Sequence, residues 1–158
     1  MPVDLSVFRD AAPYRGLKEA DWDILSGLFR EVPFPDGSLV FREQDPGDGF
    51  YLVRSGKVRI FRRVVPEGRK TPLEQLLTVL TAGSLFGEMA LVDGEPRSAD
   101  AVVEGDTILY HLSRGDYGRL KQSRPATALR IQDMLVVTLS SRIRAANRSF
   151  EIIRFWCT

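Results

Sequence analysis

The chain has a single cysteine and a single histidine among 158 residues, and these two scarcities exclude whole classes of chemistry. Cys157 stands next to the C-terminus with no second cysteine, so neither an internal disulfide nor a multi-cysteine metal site can form. It reads as a stray thiol, with an intermolecular bridge as its other use. His111 alone cannot furnish the imidazole cluster of a metal-dependent enzyme. Gly-x-Ser-x-Gly is absent, which leaves serine-nucleophile chemistry without its elbow. Gly-x-x-x-x-Gly-Lys-Ser/Thr is absent too, so triphosphate hydrolysis has no phosphate loop. No apolar run approaches the ~20 residues of a membrane helix, and the N-terminus "MPVDLSVFRDAAPY" lacks the basic and apolar regions of a leader. The expectation is a cytoplasmic protein that is not an enzyme, binds no metal and has no membrane partner.

What is present describes a folded body. Hydrophobic residues make up 44% of the chain and charged ones 27%, a mixture too apolar for disorder, and the length suits a single domain spanning 1–158. The net charge of +1 hides an asymmetry: the chain is net acidic through residue 110 and net basic beyond it. A basic C-terminal part serves nucleic-acid contact or solvates one side of an amphipathic helix. No aromatic interleaving or nucleic-acid fingerprint accompanies these charges, which favours the solvated helix.

The hydrophobic period changes twice along the chain. "LKEADWDILSGLF", residues 17–29, has helical spacing with acidic residues early, where they suit a helix N-terminus. From Val32 to Leu112, short runs rich in Val, Ile, Phe and Tyr alternate with turn signals, and they predict hairpins of a small roll. Two antiparallel strands joined at Ser55-Gly56-Lys57, with one face on a core, are expected over 51–61, and two more around Glu104-Gly105-Asp106. The polar segment 62–74 reads as a loop or extended hairpin tip. Ser113 precedes a short helix, and Pro125 opens a long one on which Ile131, Leu135, Leu139 and Ile143 recur every four residues. This stripe covers the roll or pairs with a second copy. The helices are placed at about 113–148, followed by an apolar tail, 149–158, whose Ile152, Ile153, Phe155 and Trp156 are expected to be packed. The fold class is mainly β: a double-stranded β-helix, a jelly-roll-like β-roll, with flanking N-terminal helices and a long C-terminal helix.

One stretch carries the functional signal: "GSLFGEMALVDGEPRSA", residues 83–99. Gly83 and Gly87 permit close backbone approach, and Gly87-Glu88 opens a helical turn whose free N–H groups suit an anion. Arg97 and Ser98 then bring a guanidinium fork and a hydroxyl suited to phosphate oxygens. Glu88 cannot serve the same phosphate, but it accepts a hydrogen bond from a sugar hydroxyl, so a ribose phosphate suits both ends. The competing reading of the residues alone is an internal Glu88–Arg97 ion pair across the turn.

Phe86-Gly87-Glu88-Met89-Ala90-Leu91-Val92 followed by Pro96-Arg97-Ser98-Ala99 resembles the phosphate-binding cassette of cyclic-nucleotide-binding domains, found in catabolite-activator-like regulators, kinase regulatory subunits and gated channels. "PGDGFYLVRSGKVRIF" is similar to the family's second glycine signature, with Gly47, Tyr51, Gly56 and Val58 in place, and the resemblance spans roughly residues 8–148. It implies a sensor that binds cyclic AMP, with cyclic GMP as the other ligand, since Ser98 stands where guanine-selective members often carry threonine. It implies that Glu88 accepts the ribose 2′-hydroxyl, that Arg97 pairs with the exocyclic phosphate oxygens, and that Gly87, Ser98 and Ala99 add donors. Apolar residues of the roll, beside Phe86, Met89 and Ala90, are implied to line the sugar and base. A residue late in the long helix, at about Ala146-Asn147, is implied to reach the base, and Asn147 is the one with an amide. The resemblance further implies an eight-stranded roll, a homodimer through the C-terminal helix, and a signal passed to a partner protein or to an effector domain absent from this chain. No nucleic-acid module lies within it. The alternatives are a structural or dimerisation module that has lost nucleotide binding, and the sensor part of a DNA-binding transcription regulator.

Overall fold

In the computed structural model, residues 1–156 are described, with 150–156 described by their backbone alone. Two short 3-10 turns, Ser6–Phe8 and Tyr14–Gly16, lead into α1 (Glu19–Leu28). The roll follows as β1 (Arg30–Phe34), β2 (Leu39–Phe41), β3 (Gly49–Val64), β4 (Leu73–Thr81) and β5 (Leu85–Phe86). A one-turn helix, α2 (Met89–Asp93), separates these from β6 (Asp100–Ser113), and α3 (Arg114–Ser123) and α4 (Pro125–Trp156) complete the chain. The sheet order is β1-β6-β3-β4, with β2 on β6 and β5 on β3. Every pairing is antiparallel. This is the mainly β roll between N-terminal and C-terminal helices that the sequence predicts.

Two turns predicted from glycine are bulges instead. β3 runs unbroken through Ser55-Gly56-Lys57, and β6 runs unbroken through Glu104-Gly105-Asp106. The two strands pair with each other from Gly49↔Ser113 to Phe61↔Asp100, and the register slips where Ser55 faces Ile108 and Lys57 faces Glu104. Gly56 alone thus lies opposite Gly105, Asp106 and Thr107. Its φ is 85°, and a Cβ there would stand 2.2 Å from Thr107 Oγ1. Glycine is therefore the residue that lets the ladder bend without parting. Each bent strand serves as two, so six strands make a roll for which the resemblance implies eight.

Burial corrects the expectation of one core face. Along β3, Phe50, Tyr51, Leu52 and Val53 are all buried. Alternation sends Phe50 and Leu52 to a core shared with Phe8, Trp22, Leu25, Ile131 and Leu135, between sheet and helices. Tyr51 and Val53 point the other way, into the roll, with Val58, Phe86, Val103 and Leu109. A strand buried on both faces reads as a continuous apolar run. The polar segment expected as loop or extended hairpin tip is such a tip: β3 and β4 run into its two ends as far as Val64↔Leu73, leaving 65–72 as the turn itself.

α4 is longer and differently used than its stripe suggests. Ile131 and Leu135, 0% and 1% exposed, are buried in the chain's own helical core. The exposed apolar residues are Leu129, Val136 and Ile143 at seven-residue spacing, joined by Val137. The helix does not end near 148 but continues to Trp156, in place of the separate tail. The side chains of Ile152, Ile153, Phe155 and Trp156, and all of Cys157, lie outside the described residues. No helix among the described residues is long and apolar enough to cross a membrane.

The helical layer is tied together by one buried carboxylate. Asp21, 0% exposed, accepts from the Lys18 backbone N–H at 2.7 Å, closing the first turn of α1. It also accepts from Thr127 Oγ1 at 2.7 Å and from Arg130 Nε and Nη2 at 2.6 and 2.8 Å, which fastens α1 to α4. The Arg130 hydrogen bonds hold its carboxyl down at about 2, against the opposing push of burial, with Thr127 helping. Its folded pKa lies below the ordinary 3.8, so this contribution to stability is present above that value and is lost as pH falls through about 2. Asp21→Asn is expected to lower unfolding stability at pH 7 by about 1.5–3 kcal/mol in urea titrations, with the gap from the unsubstituted protein closing as the solution approaches pH 2.

Candidate functional site

Residues 83–99 fold as a local unit against the end of the β3–β6 ladder. β5 pairs Leu85 and Phe86 with Leu52 and Tyr51, and Phe86 stacks on Tyr51 with ring centroids 5.3 Å apart. The chain turns at Gly87, φ 77°, where a Cβ would come 2.7 Å from Arg97 Nη1. Only glycine allows both the left-handed turn and that guanidinium. α2 then runs over five residues and ends at Gly94, φ 76°.

Arg97 is held on every side that protein reaches. It is 3% exposed, Nη1 donates to the Gly87 carbonyl at 2.7 Å, and Nη2 donates to Asp48 Oδ1 at 2.7 Å. Its guanidinium lies 4.2 Å from the Phe41 ring centroid and 5.9 Å from that of Tyr51, a cation over an aromatic floor. Burial pushes the Tyr51 hydroxyl up to about 12, with the Asp48 charge adding and Arg97 opposing, so the floor is neutral. The Arg97 backbone is clamped as well: the Gln44 N–H donates to its carbonyl at 2.8 Å, and its own N–H donates to the Asp45 carbonyl at 2.9 Å.

Glu88 is 0% exposed. Its Oε1 accepts from Arg142 Nη1, and Arg142 Nη2 donates to the Leu85 carbonyl, so a cation from α4 closes over the cassette. Glu88 and Arg97 therefore do not form the internal pair across the turn that the residues alone permit; each is paired elsewhere. Glu88 Oε2 and Arg97 Nε are buried without a protein partner. Unmatched buried polar atoms are rare and costly, and here both belong to the two charged residues of one cleft.

That cleft has a volume of about 570 Å³, within the ordinary range for a small-molecule site. It gathers Phe86, Gly87, Glu88, Met89, Ala90, Arg97, Ser98 and Ala99. Ser98 Oγ donates to Met89 Sδ at 3.7 Å. Asn147 does not join them: it is exposed and absent from the lining. The α4 wall is made by Arg142, Ala145, Ala146 and Ser149, spaced as one helical face, and Asn147 is rotated off that face by about 100° from Ala146. The opposite wall, Ile60, Leu77, Thr78 and Leu80, is apolar apart from one hydroxyl.

Sequence reasoning missed Asp48, Phe41 and Arg142, because nothing local ties residues 41, 48 and 142 to residue 97 or 88. A signal existed for two of them. Asp48 lies within the second glycine signature, and Arg142 stands one helical turn before Ala146. Among the described residues no group of three His, Cys, Asp or Glu side chains is placed to hold a metal ion.

The loop that clamps Arg97 is strained. Gln44 has φ 73°, a left-handed conformation that costs a non-glycine residue roughly 1–2 kcal/mol. Gln44→Gly is expected to stabilise the fold by about 0.5–1 kcal/mol after glycine's own entropy cost, read as a melting temperature higher by a few degrees.

Comparison with known proteins gives the geometry its relatives. Residues 31–140 match the family described as cyclic nucleotide-binding domain. The chain is 36% identical over 142 residues to the cyclic AMP receptor protein of Thermus thermophilus, covering 90% of this chain and 62% of that one. The crystal structure of the Thermus thermophilus catabolite activator protein superimposes with a TM-score of 0.72 at 37% identity, over 90% of this chain and 62% of that one. The regulatory domain of Toxoplasma gondii PKA, co-crystallised with cAMP, superimposes with a TM-score of 0.68 at 28% identity, over 86% and 48% of the two chains. The chain spans about three-fifths of the length of the Thermus thermophilus relative and of the CRP-like regulator of Mycobacterium tuberculosis that it matches. With the cassette, the roll and the matched residues in agreement, the chain belongs to the cyclic nucleotide-binding domain family.

Proposed function

We propose that this domain is a sensor, not an enzyme, that binds a cyclic nucleoside monophosphate in the cleft between the roll and α4, with cyclic AMP as the ligand and cyclic GMP as its competitor. The observation that carries this is the pair of buried charged residues with unmet hydrogen-bonding capacity, Arg97 and Glu88, on one cleft. Arg97 supplies a fixed guanidinium over an aromatic floor for the cyclic phosphate, and the Ser98 hydroxyl with the backbone of Gly87, Ser98 and Ala99 adds donors. Glu88 Oε2 accepts the ribose 2′-hydroxyl. The wall of Ile60, Leu77 and Leu80 takes the base, and Asn147 has no part in it within one subunit. The choice of adenine draws on the Thermus relative, which is named a cyclic AMP receptor protein.

Arg142 makes α4 the reporter. It spans from the helix to Glu88 and the Leu85 carbonyl, so a ligand that engages Glu88 changes what holds the helix down. We further place a homodimer on α4, along the exposed Leu129, Val136 and Ile143, at the seven-residue repeat of a paired helix. The longer relatives suggest that the effector lies in a further domain or partner, as in the sensor part of a transcription regulator, and that the protein works in the cytoplasm. A second reading, a structural module that binds no nucleotide, draws on the internal partners that Arg97 and Glu88 already have.

Titration calorimetry of the chain with cyclic AMP and cyclic GMP separates the two readings, since the structural module shows no heat with either. If the sensor reading holds, Arg97→Ala weakens binding by an amount on the order of 2–5 kcal/mol, roughly 30-fold to several-thousand-fold. Arg97→Lys recovers only part of it. Glu88→Gln costs about 1–3 kcal/mol with cyclic AMP and almost nothing with its 2′-deoxy analogue. Equal binding by the Arg97→Ala variant would remove the phosphate assignment. For the dimer, Val136→Asp is expected to convert a sedimenting dimer to monomer by placing a carboxylate in the helix seam.

A further inference from the structure

The chain's one histidine sits beneath the phosphate clamp. His111 lies on β6 between Tyr51 of β3 and Arg30 of β1, and its ring stacks on Tyr51 at 4.6 Å between centroids. Nε2 is buried without a hydrogen-bond partner and stands 3.7 Å from Asp48 Oδ1. That same oxygen accepts from Arg97 Nη2 at 2.7 Å. The charged groups that face the imidazole are Asp48 from the loop before β3, Arg97 from the cassette, Arg30 from β1 and Asp116 from α3.

We propose that His111 is a positioning residue for Arg97: its protonated ring competes for Asp48 Oδ1 and leaves Arg97 Nη2 free for an oxyanion of the bound ligand. The proposal rests on the cyclic-nucleotide reading of the cleft. A neutral ring 3.7 Å from Oδ1 makes no hydrogen bond, so Arg97 keeps the carboxylate. Asp48's side chain is 65% exposed, which leaves it room to move toward an imidazolium. Burial keeps the ring's pKa below the ordinary 6.5; Asp48 and Asp116 oppose this, and Arg97 and Arg30 reinforce it. A phosphate anion on Arg97 opposes the burial effect and raises the pKa in the complex. By linkage, affinity is flat at high pH, rises as pH falls through the value in the complex, and levels off below the value in the free protein.

Because no other imidazole is present, proton NMR follows this ring directly in the intact chain. Without ligand, Arg97→Ala is expected to raise the His111 pKa, and Asp48→Asn to lower it. Indistinguishable values in the three proteins would overturn the shared carboxylate. Calorimetry with cyclic AMP is expected to show affinity rising about three- to tenfold from pH 8 to pH 5.5, with the slope lost in His111→Gln. A flat profile in a protein that binds, or an equal slope in His111→Gln, would overturn this inference alone. Absence of binding at every pH would overturn the nucleotide reading and the ligand part of this proposal with it, while the ring titration still decides whether Asp48 is shared.

Discussion

The β3–β6 ladder is the constraint from which the site hangs. It pairs Gly49 with Ser113 at one end and Phe61 with Asp100 at the other, bending at Gly56 without losing continuity. Asp48 immediately precedes β3, Arg97 comes just before β6, His111 lies within β6, and β5 holds the cassette against β3. Asp48 and Arg97, far apart in sequence, are thus set at hydrogen-bonding distance by one antiparallel register, with His111 3.7 Å from the same carboxylate. A slip of one residue would turn Tyr51 out of the roll and remove the floor under Arg97.

The electrostatics of the cleft follow from burying charges of both signs without pairing them to each other. Arg97 and Glu88 are each nearly inaccessible, and an ion out of water is destabilising unless it is paired and fully hydrogen-bonded. Protein supplies part of this: Asp48 and the Gly87 carbonyl for Arg97, and Arg142 for Glu88. It leaves Nε of one and Oε2 of the other unmatched. Under the proposed sensor reading, a ribose phosphate completes both, its phosphate at Arg97 and its hydroxyl at Glu88, which a simple anion could not do. The same logic gives α4 its part, because the cation closing Glu88 is carried on the helix that forms the far wall.

The element types were legible in sequence wherever the signal was periodic or local. The helical spacing of 17–29, the Ser113 start of α3 and the Pro125 start of α4 all match the structure. Glycine was the misleading letter. Gly56 and Gly105 have the local chemistry of turns, and the same left-handed freedom serves a bulge equally well, so only pairing across the sheet distinguishes them. The apolar stripe on α4 was also ambiguous, since Ile131 and Leu135 pack just as well on the chain's own core as on a second copy.

By itself the sequence determined the cassette, Phe86 to Ala99, because its glycine turn, acid, short helix and arginine lie within a dozen residues and meet through local backbone geometry. It also determined the roll with its flanking helices, through a hydrophobic period that changes with each element. Tertiary structure alone decided which charges meet. The partnerships of Arg97 with Asp48, of Glu88 with Arg142 and of Asp21 with Arg130 span 49, 54 and 109 residues. No periodicity encodes such pairings; they arise when sheet register and helix docking bring distant backbones together. Asn147 and Ala146, neighbours in sequence, lie on different faces of α4 by helix geometry alone, and it is the docking of that helix against the roll that put Ala146 on the cleft.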